Sequence, residues 1–336
     1  MTLLGSFILF AAGVRGIVLT PADIASSGVD WPALAHRAGI GTIATHLTKY
    51  ETNRWSDTVA FMSSAEGRKF FDDCRMLGID VEHEHHGFEW LLPRGLFASS
   101  PELFRMDASG RRVPDFNCCA SSARARVIMA ANAVKFAKEC PQTTNRYFFW
   151  PSDGGDGCHC GECRAYSLSE QALLVENEIV AALRREVDPS ARLAHLAYAR
   201  HFDVPRKVRP ADGMFLEFAP FYRHWFEPVH GDNLARLASL LEVFPARDAQ
   251  VLEYWLDSSR MNKRHRHDKP APWYPEVFKQ DVAAYRRLGV GNFTTFAVDL
   301  DAGYARRFGD FEPMVRAYAL GLLEGGNLTD GCPAAK

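Results

Sequence analysis

Leu77-Gly78-Ile79-Asp80-Val81-Glu82-His83-Glu84-His85-His86 is the stretch that shows how the chain is built. Upstream, Ser63-Ser64-Ala65-Glu66 reads as a capping box, and Phe70, Phe71, Cys74 and Leu77 keep the spacing of one helical face. Gly78 closes that helix and Ile79 opens a strand, the third in the chain. Period-two alternation puts Glu82, Glu84 and His86 on one face of this strand and His83 and His85 on the other.

The same unit recurs in both directions. Strand patterns cover 16–20, 40–46, 146–150, 192–198, 213–219, 250–255 and 289–297. Helical patterns cover 31–38, 167–187, 232–244, 275–288 and 311–323, and Ser167-Leu168-Ser169-Glu170 is a second capping box. A further helix starts from Ser121 or Ser122, with Val127, Ile128, Ala131, Val134 and Phe136 as its apolar stripe. The link between the fifth and sixth strands is short, proline-flanked and without a convincing helix. A long connection, 90–117, follows the third strand; its aromatic and proline content predicts an ordered lid.

Eight strands alternating with helices, with no break in composition, predict an α/β fold: a single (β/α)8 TIM barrel over 1–336 with a long ordered loop after strand 3. No Gly-x-Gly-x-x-Gly follows the first strand, which disfavours a dinucleotide fold. The 336 residues, 47% hydrophobic, can bury a large core. A formal charge of -2 without a long basic run argues against nucleic acid as a partner, and 263–267 reads as a basic loop tip. The apolar segment 1–14 is too short to span a bilayer and no other run approaches the roughly 18 residues required, so no membrane partner is expected. The segment reads as a packed start of the fold in a cytoplasmic protein, with a remnant export signal as the alternative. An oligomer is compatible with the sequence.

In a barrel, the site lies where the strands end. Those ends offer His46, Glu84, His86, Trp150, Asp153, Tyr198, Glu217, Tyr222, Arg223, Glu253, Trp255 and Asp257. Carboxylates beside aromatic platforms suit glycoside hydrolysis: one acid protonates the leaving oxygen, a second activates water or attacks the anomeric carbon, and rings stack on sugars. This predicts Asp153 as general acid and Glu217 or Glu253 as base or nucleophile, with the remaining residues binding a carbohydrate substrate and no cofactor required for catalysis. An ion pair in the barrel core, for instance with Arg223, is the alternative for Glu217 and Glu253, since both sit in apolar runs. Asp156, Asp299 and Asp301 read as loop or turn residues. Two other functions fit the same residues: a carbohydrate-binding barrel without catalysis, and a metal-dependent hydrolase using His46, Glu84 and His86.

Three of the eight cysteines fall within Cys158-His159-Cys160-Gly161-Glu162-Cys163. Cys158, Cys160 and Cys163 can hold a structural zinc, with His159, Cys118 or Cys119 as fourth ligand; a disulfide and free thiols are the alternatives.

Glu82-x-Glu84-x-His86, Trp90-Leu91-Leu92-Pro93-Arg94, Pro101-Glu102-x-Phe104-Arg105, Trp150-x-x-Asp153 with Cys158-x-Cys160-x-x-Cys163, and Phe215-Leu216-Glu217-Phe218-Ala219-Pro220 together resemble the glycoside-hydrolase-like barrels known as domain of unknown function 4838. The resemblance runs over about 15–297, and the cysteine loop and the Glu-x-Glu-x-His strand are its most specific pieces. That family is similar in turn to the family 67 α-glucuronidases and, more distantly, to the family 20 hexosaminidases. In the α-glucuronidases an acid follows the fourth strand and basic carboxylates lie on later ones. By strand position alone, the resemblance implies Asp153, Glu217 and Glu253 for those roles.

Overall fold

The computed structural model describes residues 13–47, 55–262 and 265–323, so that most of the 1–14 segment, together with Lys263 and Arg264 of the basic tip, lies outside the described residues. Eight parallel strands close into a barrel: β1 (Arg15–Leu19), β2 (Thr42–Thr45), β3 (Asp80–His85), β4 (Arg146–Phe149), β5 (Arg192–Tyr198), β6 (Met214–Ala219), β7 (Gln250–Glu253) and β8 (Asn292–Phe296). Each pairs with its sequence neighbours, and β8 returns to β1 through Gly16 opposite Thr294. The fold is the single (β/α)8 barrel that the alternation of elements predicts.

Alternation along each strand builds two cores. Ile17, Ile43, Val81, Leu193, Leu216, Val251 and Phe293 point outward under the helices, whereas Val18, Ala44, Phe148, Ala194, Phe215, Leu252 and Phe296 fill the interior. Burial on both faces is why these strands read as continuous apolar runs.

The helices keep their predicted order with local differences. The helix Ala65–Met76 is capped by Ser64, not Ser63, through the amide of Gly67. Glu66 therefore sits one position too early to close a capping box. Gly67 is needed at that spot because a Cβ there would lie 2.0 Å from the carbonyl oxygen of Phe61. The Ser167 box forms as predicted. In the helix Ala123–Glu139 the buried stripe is Ala125, Met129, Ala130, Ala133, Val134 and Phe136, while Val127 is exposed. Small alanines face inward because this helix packs along Leu168–Glu186. Residues 199–213 carry no helix, and none in the described residues is long and apolar enough to cross a membrane.

The long connection after β3 is ordered. It holds a short helix Phe88–Leu91, two 3-10 turns, and antiparallel bridges from Phe104 to Cys118 and from Met106 to Arg112. Arg94 lies over the Phe104 ring at 4.9 Å and donates to the carbonyls of Leu92 and Phe116, and Arg105 pairs with Asp115.

Candidate active site

The strand ends open into a cavity of about 290 Å³. Its walls are His46 after β2, His86 after β3, Trp150 and Asp153 after β4, Tyr198 at the end of β5, Phe221 after β6, Tyr254, Asp257 and Arg260 after β7, and Phe296 from β8. Of the residues expected at the mouth, His46, His86, Trp150, Asp153, Tyr198 and Asp257 therefore meet in one space.

The two histidines are held alike. Nδ1 of His46 lies 2.8 Å from the carbonyl oxygen of Glu84, and Nδ1 of His86 lies 2.6 Å from that of Pro151. A carbonyl can only accept, so each Nδ1 carries the hydrogen and each Nε2 is left as an acceptor. Burial, with His86 adding to it, pushes His46 down to about 3, and burial also lowers His86. Both are neutral rings near pH 7.

Trp150 packs against both, with ring centroids 5.4 Å from His46 and 5.2 Å from His86. Its indole donates to Oε2 of Glu217 at 2.8 Å, while Gln250 donates to Oε1 at 2.8 Å. Glu217 thus lies beneath Trp150 in the barrel interior, and burial pushes its carboxyl up to about 8. Deeper still, Arg146 pairs with Glu82 and Gln250. Glu84 shares this interior, and no hydrogen bond from the described residues reaches either of its oxygens. Burial, and then the Glu217 and Glu82 carboxylates, hold it well above the usual range, as the neutral acid.

Glu253 and Trp255 correct the expectation that they face the mouth. The residues of β7 and its extension that point inward are Gln250, Leu252 and Tyr254. Glu253 points outward, its Oε1 bound by Arg223 at 2.7 Å and by the Tyr285 hydroxyl at 2.5 Å. Arg223 also meets Asp281 at 2.8 Å, and the Trp255 indole donates to Asp281 at 2.9 Å. The ion-pair alternative is thus the one realised for Glu253, and Arg223 is used up in it. Tyr222 stands 69% exposed on the rim, edge-on to Phe221.

The two carboxyls at the cavity differ in surroundings. Asp153 is exposed and accepts from the Tyr198 hydroxyl at 3.1 Å. Its loop is stapled from the long connection: the Asn117 side chain accepts from the Ser152 amide at 3.0 Å and donates to the Asp156 carbonyl at 3.0 Å. Asp257 is buried, caps the helix Ser258–Met261, and accepts from the Ser259 amide and hydroxyl through Oδ1. Burial raises it to about 7 despite those bonds. Sequence reading missed Asn117, Tyr254 and Phe296, and also Arg260, whose guanidinium sits 3.6 Å above the Phe221 ring.

Among the described residues, Cys119, Cys158, Cys160 and Cys163 are the group whose metal-ligating atoms all lie within 4.8 Å of one another. His46, Glu84 and His86 form no such group. His159 turns instead to Asp156, and Asp156 also meets Arg200. Asp301 caps the helix Ala302–Phe308, and Asp299 pairs with Arg266.

Comparison with known proteins agrees on the barrel. A GH20 catalytic module of the pneumococcal exo-β-D-N-acetylglucosaminidase StrH superposes with a TM-score of 0.53 at 9% identity, covering 96% of this chain and 86% of that one. The glycoside hydrolase family 5 enzyme PbGH5A of Prevotella bryantii B14 gives 0.51 at 9% identity, with 93% and 96% covered. A β-galactosidase of the psychrophilic Marinomonas ef1 gives 0.54 at 12%, with 92% and 59% covered. No curated protein matches the sequence. The sequence profile described as Domain of unknown function (DUF4838) matches residues 28–244, more than half of the chain, and the protein belongs to that family.

Proposed function

We propose that the protein is a glycoside hydrolase acting on a glycan or uronide, with Asp153 and Asp257 as its working carboxyls. The observation that carries this reading is that the two reach one aromatic-walled cavity from different strands, in opposite environments. A carboxyl raised to about 7 by burial still holds a proton near neutral pH and can give it to a leaving oxygen. Asp153, exposed and accepting from Tyr198, serves as base or nucleophile. This reverses the division expected from sequence, where Asp153 was the acid. Glu217 supports Trp150 from below and does not touch substrate. Trp150, Tyr254 and Phe296 offer faces for sugar rings, and Arg260 offers a cation to an anionic substituent. Glycosidase barrels among the structural neighbours are consistent with this reading.

Aryl glycosides and aryl uronides presented to the wild type, Asp153→Asn and Asp257→Asn test it. Loss of acid or base should lower kcat by about 10²- to 10⁴-fold in each variant. Unchanged turnover in both would end the assignment. A sugar-binding barrel without catalysis is the second reading, favoured by the engagement of Glu217 and Glu253 in structural bonds. Calorimetric binding of a glycan with no product after prolonged incubation would select it. The metal-dependent alternative loses support because Glu84 offers His46 its backbone carbonyl while its carboxyl stays in the interior.

A further inference from the structure

We propose that Cys119, Cys158, Cys160 and Cys163 bind one zinc ion as a tetrathiolate that joins the loop carrying Asp153 to the long connection after β3. The proposal goes beyond the glycosidase reading and does not depend on it.

The four thiols come from two distant segments and are all buried. Cys119 Sγ lies 3.7 Å from Cys160 Sγ and 3.9 Å from Cys163 Sγ. A tetrahedral ion with Zn–S bonds of about 2.3 Å requires sulfurs roughly 3.8 Å apart, whereas a disulfide requires about 2.05 Å. The two separations match the edge of such a tetrahedron, all four sulfurs lie within 4.8 Å of one another, and the four cysteines are free of disulfide bonds.

Their surroundings favour sulfur in its anionic form. Backbone amides of Met106, Ser121 and Cys163 point at Cys158, Cys163 and Cys160 at 3.3, 3.3 and 3.5 Å. The Ser121 hydroxyl lies 2.7 Å from Cys163 Sγ, and the Arg112 guanidinium 3.7 Å from Cys158 Sγ. A thiol is a weak acceptor and gains little from so many donors. Four thiolates around a divalent ion carry a net double negative charge, which these amides and Arg112 offset, as partners around metal ligands do. Buried cysteines acting only as small apolar side chains would have no reason to gather with donors aimed at them. Soft ligands in a closed tetrahedron with no open position select zinc in a structural role. Binding exchanges the S–H bonds for Zn–S bonds and releases the thiol protons to solvent.

The structure also chooses the fourth ligand among those the sequence offered. His159 is bound to Asp156, Cys118 lies outside the group, and Cys119 completes it. Cys119 follows Asn117 by two positions, and Asn117 staples the Asp153 loop at Ser152 and Asp156. An ion at the cysteines would anchor both ends of that staple.

Elemental analysis of the full chain purified under reducing conditions, followed by exchange with Co²⁺ and native thiol titration, tests the proposal without any activity assay. We expect stoichiometric zinc, cysteines shielded until the metal is stripped, and the thiolate charge-transfer and intense d–d absorption of tetrahedral cobalt. Cys119→Ser should weaken metal binding more than about tenfold, while Cys118→Ser should leave the cobalt spectrum as in wild type. Wild-type protein that is reduced yet takes up neither zinc nor cobalt would overturn the proposal. So would a disulfide among the four, iron as the resident metal, or equal loss of the spectrum in the two variants; the wild-type spectrum decides even where Cys119→Ser fails to fold.

Discussion

Asp153 and Asp257 share a cavity, but one is open to water and the other is closed off by the protein, and that contrast is where the chemistry is expected. If Asp257 gives the proton, activity requires its acid form, and kcat/KM should fall as pH rises through about 7. Asp257→Asn should lose that alkaline limb along with most turnover, as a pH–rate profile would show. Glu217 makes a different prediction, because its two oxygens each accept one hydrogen bond, from Trp150 and from Gln250. Glutamine offers only one accepting oxygen, so Glu217→Gln should leave one donor unpaired and lower stability by about 1–3 kcal/mol in urea unfolding. Legibility at this scale depended on phase. On β3 the acidic and histidine residues made the alternation readable, and Glu82, Glu84 and His86 do share the inward side. On β7 every residue from Val251 to Trp255 is buried, so nothing in the pattern told inside from outside. A slip of one residue exchanged Tyr254 for Glu253 and Trp255.

Elements were easier to read than faces. Strand order, the missing helix between β5 and β6 and the ordering of the long connection all follow from local patterns of glycine, proline and apolar spacing. The inward face of the helix Ala123–Glu139 does not, since its partner helix selects alanines for close approach over the larger Val127. Nor does the role of the long connection, whose Asn117 side chain braces the Asp153 loop at both Ser152 and Asp156. Asn117→Ala should keep the barrel folded while releasing the Asp153 loop. We expect kcat to fall with little change in far-UV circular dichroism and a stability loss of no more than about 1–3 kcal/mol. Unchanged kcat would show that the loop holds its shape without the staple.

The whole molecule carries an electrostatic cost inside a closed barrel. Burial holds Glu84 high and raises Glu217 to about 8, and outside the barrel wall it raises Glu253 to about 7 against the opposing pull of Arg223. These groups bind protons more tightly folded than unfolded, so the native state holds more protons across that interval. Their contribution to stability is fully present below the unfolded value of about 4.3 and is lost as pH rises through about 7 to 8. Glu84→Gln removes one such group without breaking a hydrogen bond from the described residues, and should flatten the decline seen by thermal unfolding across that range. A decline as steep as in wild type would mean that Glu84 is not held as the neutral acid.

If the carboxyls at the mouth of the barrel cleave a glycosidic bond, turnover must depend on Asp257 and on its proton. Turnover of aryl glycosides and uronides by the wild type and by Asp257→Asn, on both sides of pH 7, tests it most directly. We expect release of the aryl group by the wild type, falling as pH rises through about 7, and turnover at least about a hundredfold lower in the variant. Equal turnover by the two proteins at every pH would contradict it.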